Sequence, residues 1–230
     1  MHVSPNNPTG AVTPPSVVQA IADLAIKHNL IVLSDEIYSD MMYKGHEHVS
    51  IATLPGMRDR TVVLNGCSKA FAMTGWRVGY LAAPAPFVEA ITAIAGQLSL
   101  SVATPSQYAA IAALTGPMDA VNDMMDVYTE RRDYMFEEFR RMGFQVYGGH
   151  GGYIALLDTL SGCPISASDF CLALLQQTGI QIGSWGAGMA GEVEHESGRY
   201  ARISWLLPMD ELKAAMSEID AFVQTVKPKL

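Results

Sequence analysis

The chain is short of positive charge: 15 lysines and arginines stand against 23 aspartates and glutamates, a formal net charge of −8. With no basic stripe to offset phosphate repulsion, no nucleic-acid partner is expected. Cysteine is scarce as well. Cys67, Cys163 and Cys171 are far apart, with no Cys-x-x-Cys and no neighbouring histidine pair, so neither a zinc site nor a disulfide framework is indicated. Reduced thiols in a cytoplasmic protein are the expectation. No apolar run reaches the roughly 18 residues that span a bilayer. The opening "MHVSPNNPTG" has neither the basic start nor the apolar stretch of a secretory signal, so no membrane partner is expected.

What is present is the balance of a globular protein, 49% hydrophobic and 17% charged, and 230 residues suffice for one large or two small domains. "NNPTGAVTPPS" is dense in turn formers and predicts a loop at the start. From Pro15, Val18, Ile21, Ala22 and Ala25 recur at helical spacing as far as His28-Asn29. "LIVLSDEIY" then reads as a buried parallel strand ending in acids, and "TVVLN" and "RVGYLAAP" repeat the strand signal. Strands alternating with helices predict an α/β unit, a mostly parallel sheet with helices on both faces. Ligands of such sheets sit at the carboxyl ends of the strands, where Asp35, Tyr38, Asn65 and Lys69 all fall.

Helical patterning continues through "PFVEAITAIAGQL", "TPSQYAAIAALTG" and a long stretch from Pro117 to Met142, whose Met and aromatic spacing predicts core packing and whose "ERRDYMFEEFRR" predicts a solvated face. After Gly143 shorter strands, "FQVY", "GYIALLD" and "YARISWL", alternate with helices near Ser166 to Thr178 and Pro208 to Val226. This predicts a large domain over residues 1–140 ending in a long connecting helix, and a smaller α+β domain over 141–230. "GGHGG" and "GSWGAGMAG" read as loops.

The chemistry concentrates in "NGCSKAFAMTGWRVGY". Lys69 follows a buried strand among Gly, Cys, Ser, Ala and Phe, where a lysine is either a surface charge or a nucleophile able to form a Schiff base with an aldehyde. Arg77 suits a phosphate or carboxylate, and a glycine-containing turn leading into a helix would add backbone N–H donors. Asp35 is either a cap or a partner for a protonated ring nitrogen. Tyr38 and Asn7 offer a hydroxyl and an amide to a phenolic oxygen. Pyridoxal phosphate carries an aldehyde, a phosphate, a ring nitrogen and a ring oxygen, the four features those groups recognise.

"SPNNPTG", "SDEIYSDMMY", "GCSKAFAMTGWRVGY" and "YARISW" together resemble the class I/II pyridoxal-phosphate-dependent aminotransferases of the aspartate aminotransferase superfamily, fold type I, over essentially the whole chain. The resemblance implies that Lys69 is the Schiff-base lysine and that Asp35 holds the pyridinium N–H. It implies that Asn7 and Tyr38 contact the ring oxygen, Ser68 and Arg77 the phosphate, and Arg202 the substrate carboxylate, with Asn7 also on the substrate side. Many relatives have a serine where this chain has Gly66, and a different loop where it has "GSWGAGMAG".

Transamination between an amino acid and a 2-oxo acid in a homodimer is the implied activity. A lyase or synthase on the same scaffold, or a non-catalytic fragment, are the alternatives. Family members carry a long segment ahead of the "NPTG" loop, so the chain is expected to correspond to their C-terminal portion, with one side of its sheet uncovered. Between Arg77 and Arg131 there is no Lys or Arg, where the aspartate-specific branch of the family supplies an arginine for the side-chain carboxylate, so the resemblance implies a neutral or aromatic substrate over a dicarboxylic one.

Overall fold

The computed structural model describes residues 1–98, 101–184 and 198–226. They fold as two compact units. The first comprises Met1–Asn6, Val12–Met125 and His150–Gly152, and the second Asn7–Ala11, Asp126–Gly149 and the described part of Tyr153–Leu230. No helix among the described residues is long and apolar enough to cross a membrane.

The first unit holds a four-stranded sheet in the order β1 (His2–Val3), β2 (Val32–Asp35), β3 (Thr61–Gly66), β4 (Gly79–Ala82). The first three strands are parallel and β4 is antiparallel to β3. Reversal at β4 follows from its connection. Only turns and a short 3-10 segment, Thr74–Trp76, lie between β3 and β4, so no crossover helix returns the chain to the starting end. The predicted opening loop is corrected in part. His2 and Val3 pair in register with Ser34 and Asp35, a strand too short to show a two-residue periodicity.

Helix α1 (Pro15–Lys27) starts with proline in its first turn, where the missing N–H has no intrahelical role. It buries Val18, Ala22 and Ala25 against Val32, Ile51 and Met57. It stops because Asn29 takes a left-handed φ of 49°, letting the N–H of Leu30 donate to Ala25 O at 2.8 Å and that of Asn29 to Ile26 O at 3.2 Å. Arg60 secures this end, donating to Asn29 Oδ1 at 3.1 Å and to Gly56 O at 3.1 Å.

Helices α2 (Ala85–Leu98) and α3 (Thr104–Thr115) differ sharply from α1. No residue of α2 is buried and only Ser106 and Ala110 of α3 are, although both helices are largely apolar. Ile94, Leu98, Tyr108 and Ile111 are all more than half exposed, and Tyr80 on β4 is exposed too. Helices apolar on all sides are normally covered.

The second unit is an antiparallel sheet, β5 (Gln145–Gly148), β6 (Ile154–Asp158), β8 (Tyr200–Ser204) and β7 (Gly183–Ser184) in that order, with the part of helix α4 (Asp119–Arg141) from Asp126 onward and helices α5 (Thr159–Gly162), α6 (Ala167–Thr178) and α7 (Met209–Val226). As the spacing predicted, Met135, Phe136 and Phe139 of α4 are core residues. Aromatic rings meet edge to face through this core: Phe139 with Phe144, Phe144 with Phe170 and Phe170 with Phe222, at 6.0, 5.7 and 5.4 Å between centroids. On the charged face of α4, Glu138 pairs with Arg141 at i, i+3.

Helix α6 is bounded as its sequence dictates. Ser166 Oγ accepts the N–H of Asp169 at 3.1 Å, and Gly179 follows the last turn at a φ of 76°. The "GSWGAGMAG" loop beyond Ser184 lies outside the described residues.

Phe170 is fully buried, so Phe170→Ala should destabilise the second unit by about 3–5 kcal/mol. Urea unfolding monitored by tryptophan fluorescence of Trp205 measures the loss, and a change below about 1 kcal/mol would contradict this packing.

Candidate active-site residues

Asp35 ends β2 and stands opposite Leu64 of β3. Val32 faces the α1 core, so alternation places Ser34 on that face and Leu33 and Asp35 on the other. The Asp35 carboxylate accepts the N–H of Ile37 at 3.2 Å, which holds it over the turn that follows. In that turn Tyr38 is buried and packs on Gly152. A Cβ at Gly152 would lie 2.9 Å from the Tyr38 ring, and the residue has a φ of +70°, so glycine is required there twice over. Gly152 is anchored in turn, its carbonyl accepting Tyr43 OH at 2.8 Å and its N–H donating to Met41 O at 2.8 Å.

Asn65, on β3, donates from Nδ2 to Ser39 Oγ at 3.1 Å, tying this strand end to the turn after β2. Cys67 is buried, and Ser68 and Lys69 follow it half-buried. The turn is closed by Ala72 N–H to Lys69 O at 3.1 Å and Met73 N–H to Cys67 O at 3.3 Å. It does not lead into an α-helix, as the sequence suggested, but into the short 3-10 segment. Arg77 then takes a left-handed conformation, φ 50°, and donates from Nη1 to Thr74 O at 2.8 Å while its side chain stays exposed. Gly66 lies against Gly79 of β4, where a Cβ would sit 3.0 Å from Gly79 Cα. The serine that many relatives carry at this position would crowd the sheet here.

The sequence reading missed a buried polar ladder on the other face of β2. Glu36 is buried, and its Oε1 accepts Ser34 Oγ at 2.9 Å and Ser50 Oγ at 2.8 Å. Its Oε2 meets His48 Nε2 at 3.1 Å. Ser34 spends its single hydrogen on Glu36, so at 3.4 Å it accepts from His2 Nδ1–H, and His2 Nε2 then accepts Thr13 Oγ1 at 3.2 Å. Two polar residues at i and i+2 on the inward face of a strand were the available signal.

Burial opposes ionisation of Glu36, but hydrogen bonds from His48, Ser50 and Ser34 outweigh it and hold the carboxyl below its ordinary value. Burial pushes the His2 imidazole below its ordinary value against the opposing charge of Glu36.

In the second unit, Asn7 and Arg202 come together across the length of the chain. Arg202, on the exposed side of β8, donates from Nη1 to Asn7 Oδ1 at 3.3 Å. The "NNPTG" segment is held by Gly149 N–H to Thr9 O at 3.1 Å and by Ala11 N–H to Thr9 Oγ1 at 3.0 Å. Its glycine is a steric necessity, because Gly10 has a φ of +63° and a Cβ there would run into the carbonyl of Ile154.

Thus Asp35, Tyr38, Ser68, Lys69 and Arg77 belong to the first unit, and Asn7 and Arg202 to the second. Among the described residues no group of three or more His, Cys, Asp or Glu is arranged to hold a metal ion. An amine, a carboxylate, a phenol, a hydroxyl and a guanidinium at the carboxyl ends of adjacent strands are a donor set that fits pyridoxal phosphate.

The family model for aminotransferase class I and II matches residues 1–219. This chain belongs to that family, which is pyridoxal-phosphate-dependent. It is 35% identical over 98% of its length to a bifunctional aspartate aminotransferase and glutamate/aspartate-prephenate aminotransferase of Petunia hybrida, covering 48% of that protein. It is 34% identical over 97% of its length to aromatic-amino-acid aminotransferase 2 of Thermococcus litoralis, covering 57% of it. The crystal structure of an aromatic aminotransferase from Pyrococcus horikoshii superposes on 97% of the chain with a TM-score of 0.87 at 32% identity, over 59% of that structure. The fold is therefore fold type I. The chain spans about half the length of the curated relatives it matches.

Both depressed groups make the first unit acid-sensitive. A neutral His2 is favoured by folding, so stability is complete above its unfolded value of 6.5 and is lost as pH falls below it. Glu36 contributes above its unfolded value of 4.5 and loses that contribution as pH falls through the lower folded value. Urea midpoints against pH should show both losses. His2→Gln should remove the upper one and Glu36→Gln the lower, and profiles parallel to wild type would contradict the assignment.

Proposed function

We propose that this chain serves transamination, the transfer of an amino group between an amino acid and a 2-oxo acid, with Lys69 as the residue that binds the cofactor covalently. The observation that carries this reading is the placement of Asp35 and Lys69 at the carboxyl ends of two parallel strands in hydrogen-bonded register. When bound, pyridoxal phosphate supplies an electrophilic carbon and a conjugated ring that accepts the electron pair left by a departing α-proton.

In this reading the Asp35 carboxylate keeps the ring nitrogen protonated, its position set by the Ile37 N–H. Ser68 and Arg77 bind the phosphate; the Thr74 carbonyl occupies one Arg77 donor and leaves the others for the anion. Tyr38 would hold the ring oxygen, the role the resemblance also gives to Asn7. The Lys69 amine, which would hold the cofactor, would also serve as the base and then the acid for the substrate α-proton. Arg202 binds the substrate α-carboxylate, with Asn7 Oδ1 orienting the guanidinium. The proposed partition follows these roles: residues 1–140 as the cofactor domain, and 141–230, with Arg202, as the smaller domain.

Small amino acids and 2-oxo acids are the proposed partners, and a homodimer the proposed assembly. The exposed apolar positions on α2 and α3 offer area for such an association. A cytoplasmic location suits Cys67, Cys163 and Cys171, which are all buried thiols. Among the relatives are aspartate aminotransferases and an aromatic-amino-acid aminotransferase. We favour a neutral or aromatic substrate from the lack of Lys and Arg between Arg77 and Arg131.

Two measurements on the protein test the assignment. Lys69→Ala should lower the transamination rate at least about 10²–10⁴-fold, the contribution of a positioned proton-transfer group. Arg202→Gln should raise KM for every α-amino acid tried, reducing kcat/KM about 10–100-fold as a charged hydrogen bond is lost. An Arg202 variant with unchanged KM would sink its role. A steady-state comparison of aspartate with phenylalanine tests the substrate preference, and a higher kcat/KM for aspartate would reverse it.

A further inference from the structure

Glu36 stands immediately after Asp35, yet the chemistry above leaves it without a task. It is buried and ionised, and its two oxygens take three donors from three places: Ser34 on β2, Ser50, and His48. Through Ser34 the same ladder reaches His2 on β1 and Thr13 beyond it. Its backbone N–H donates to Leu64 O of β3 at 2.9 Å. Residues 34 and 36 are therefore fixed both by the sheet and by side chains on the inward face. Asp35 lies between them and faces the other way, and among the described residues its carboxylate accepts one hydrogen bond, from Ile37 N–H.

A buried carboxylate is an expensive way to fill a core position, since apolar groups of like volume commonly stabilise as well or better. What such a group supplies is direction: each of its hydrogen bonds is lost if the strand end rotates or slips. We propose that Glu36 is a positioning residue for Asp35, clamping the end of β2 to the 48–50 segment and to β1 so that the Asp35 carboxylate is held at one angle toward the cofactor's ring nitrogen. The proposal rests on the reading of Asp35 given above, and it concerns the orientation of that carboxylate rather than contact with the cofactor.

The test has an arm that needs no cofactor. Amide hydrogen exchange is measured at Ile37, whose N–H reports the Asp35 carboxylate, and at Ala22 and Ala25 in the α1 core. Ser50→Ala, which removes one donor without touching β2, and Glu36→Leu should each speed exchange at Ile37 by about tenfold or more relative to α1. Glu36→Gln, which still accepts from both serines, should restore most of the protection. Unchanged Ile37 exchange, or acceleration in step with α1, would overturn the proposal, the latter showing mere loss of stability.

A second arm loads the chain with pyridoxal phosphate and follows the pH midpoint of the visible band. Glu36→Leu should move the midpoint in the same direction as Asp35→Asn, and a wild-type midpoint in Glu36→Leu would overturn the link to the ring nitrogen. If wild type takes up no cofactor while Ile37 responds to Glu36, the clamp on Asp35 stands and the cofactor reading falls.

Discussion

The parallel pairing of β2 with β3 is the constraint on which the rest of the first unit depends. Register sets Asp35 opposite Leu64, so the carboxylate and the turn bearing Lys69 leave the sheet from neighbouring strand ends. Parallel strands bring their carboxyl ends to the same edge, so the acid that ends one strand and the lysine-bearing turn after the other leave the sheet on the same side. A slip of one residue would turn Asp35 into the α1 core and Ser34 out of it. The polar ladder on the inward face and the apolar packing of Val32 oppose that slip together.

Glycine does complementary work around the polar strand ends. Gly152 admits the Tyr38 ring, Gly10 lets the Asn7 segment approach β6, and Gly66 lets β3 and β4 meet closely just before Lys69. At Gly10 and Gly152 a side chain would run into backbone or ring, and at Gly66 it would crowd β4.

Much of this was legible in the sequence because it rests on local signals. Pro15 and Asn29 delimit α1, Ser166 and Gly179 delimit α6, and short apolar runs ending in acids or small residues mark β2 and β3. The motif residues were legible by resemblance, since Lys69, Asp35 and Arg77 stand in distinctive strings. What escaped was non-local. Two-residue strands carry no period, the direction of β4 depends on what its connection does not contain, and the Glu36 ladder joins residues from 2 to 50 that no spacing rule links. The Asn7–Arg202 hydrogen bond joins opposite ends of the chain and is visible only after folding.

The central claim is that Lys69 is the residue that binds pyridoxal phosphate covalently. Borohydride reduction of the protein after incubation with pyridoxal phosphate, followed by peptide mass mapping, tests it most directly. The account predicts a phosphopyridoxyl group on the peptide containing Lys69 and none when Lys69→Arg is treated alike. A label distributed over exposed lysines, or retained in the Lys69→Arg variant, would contradict it.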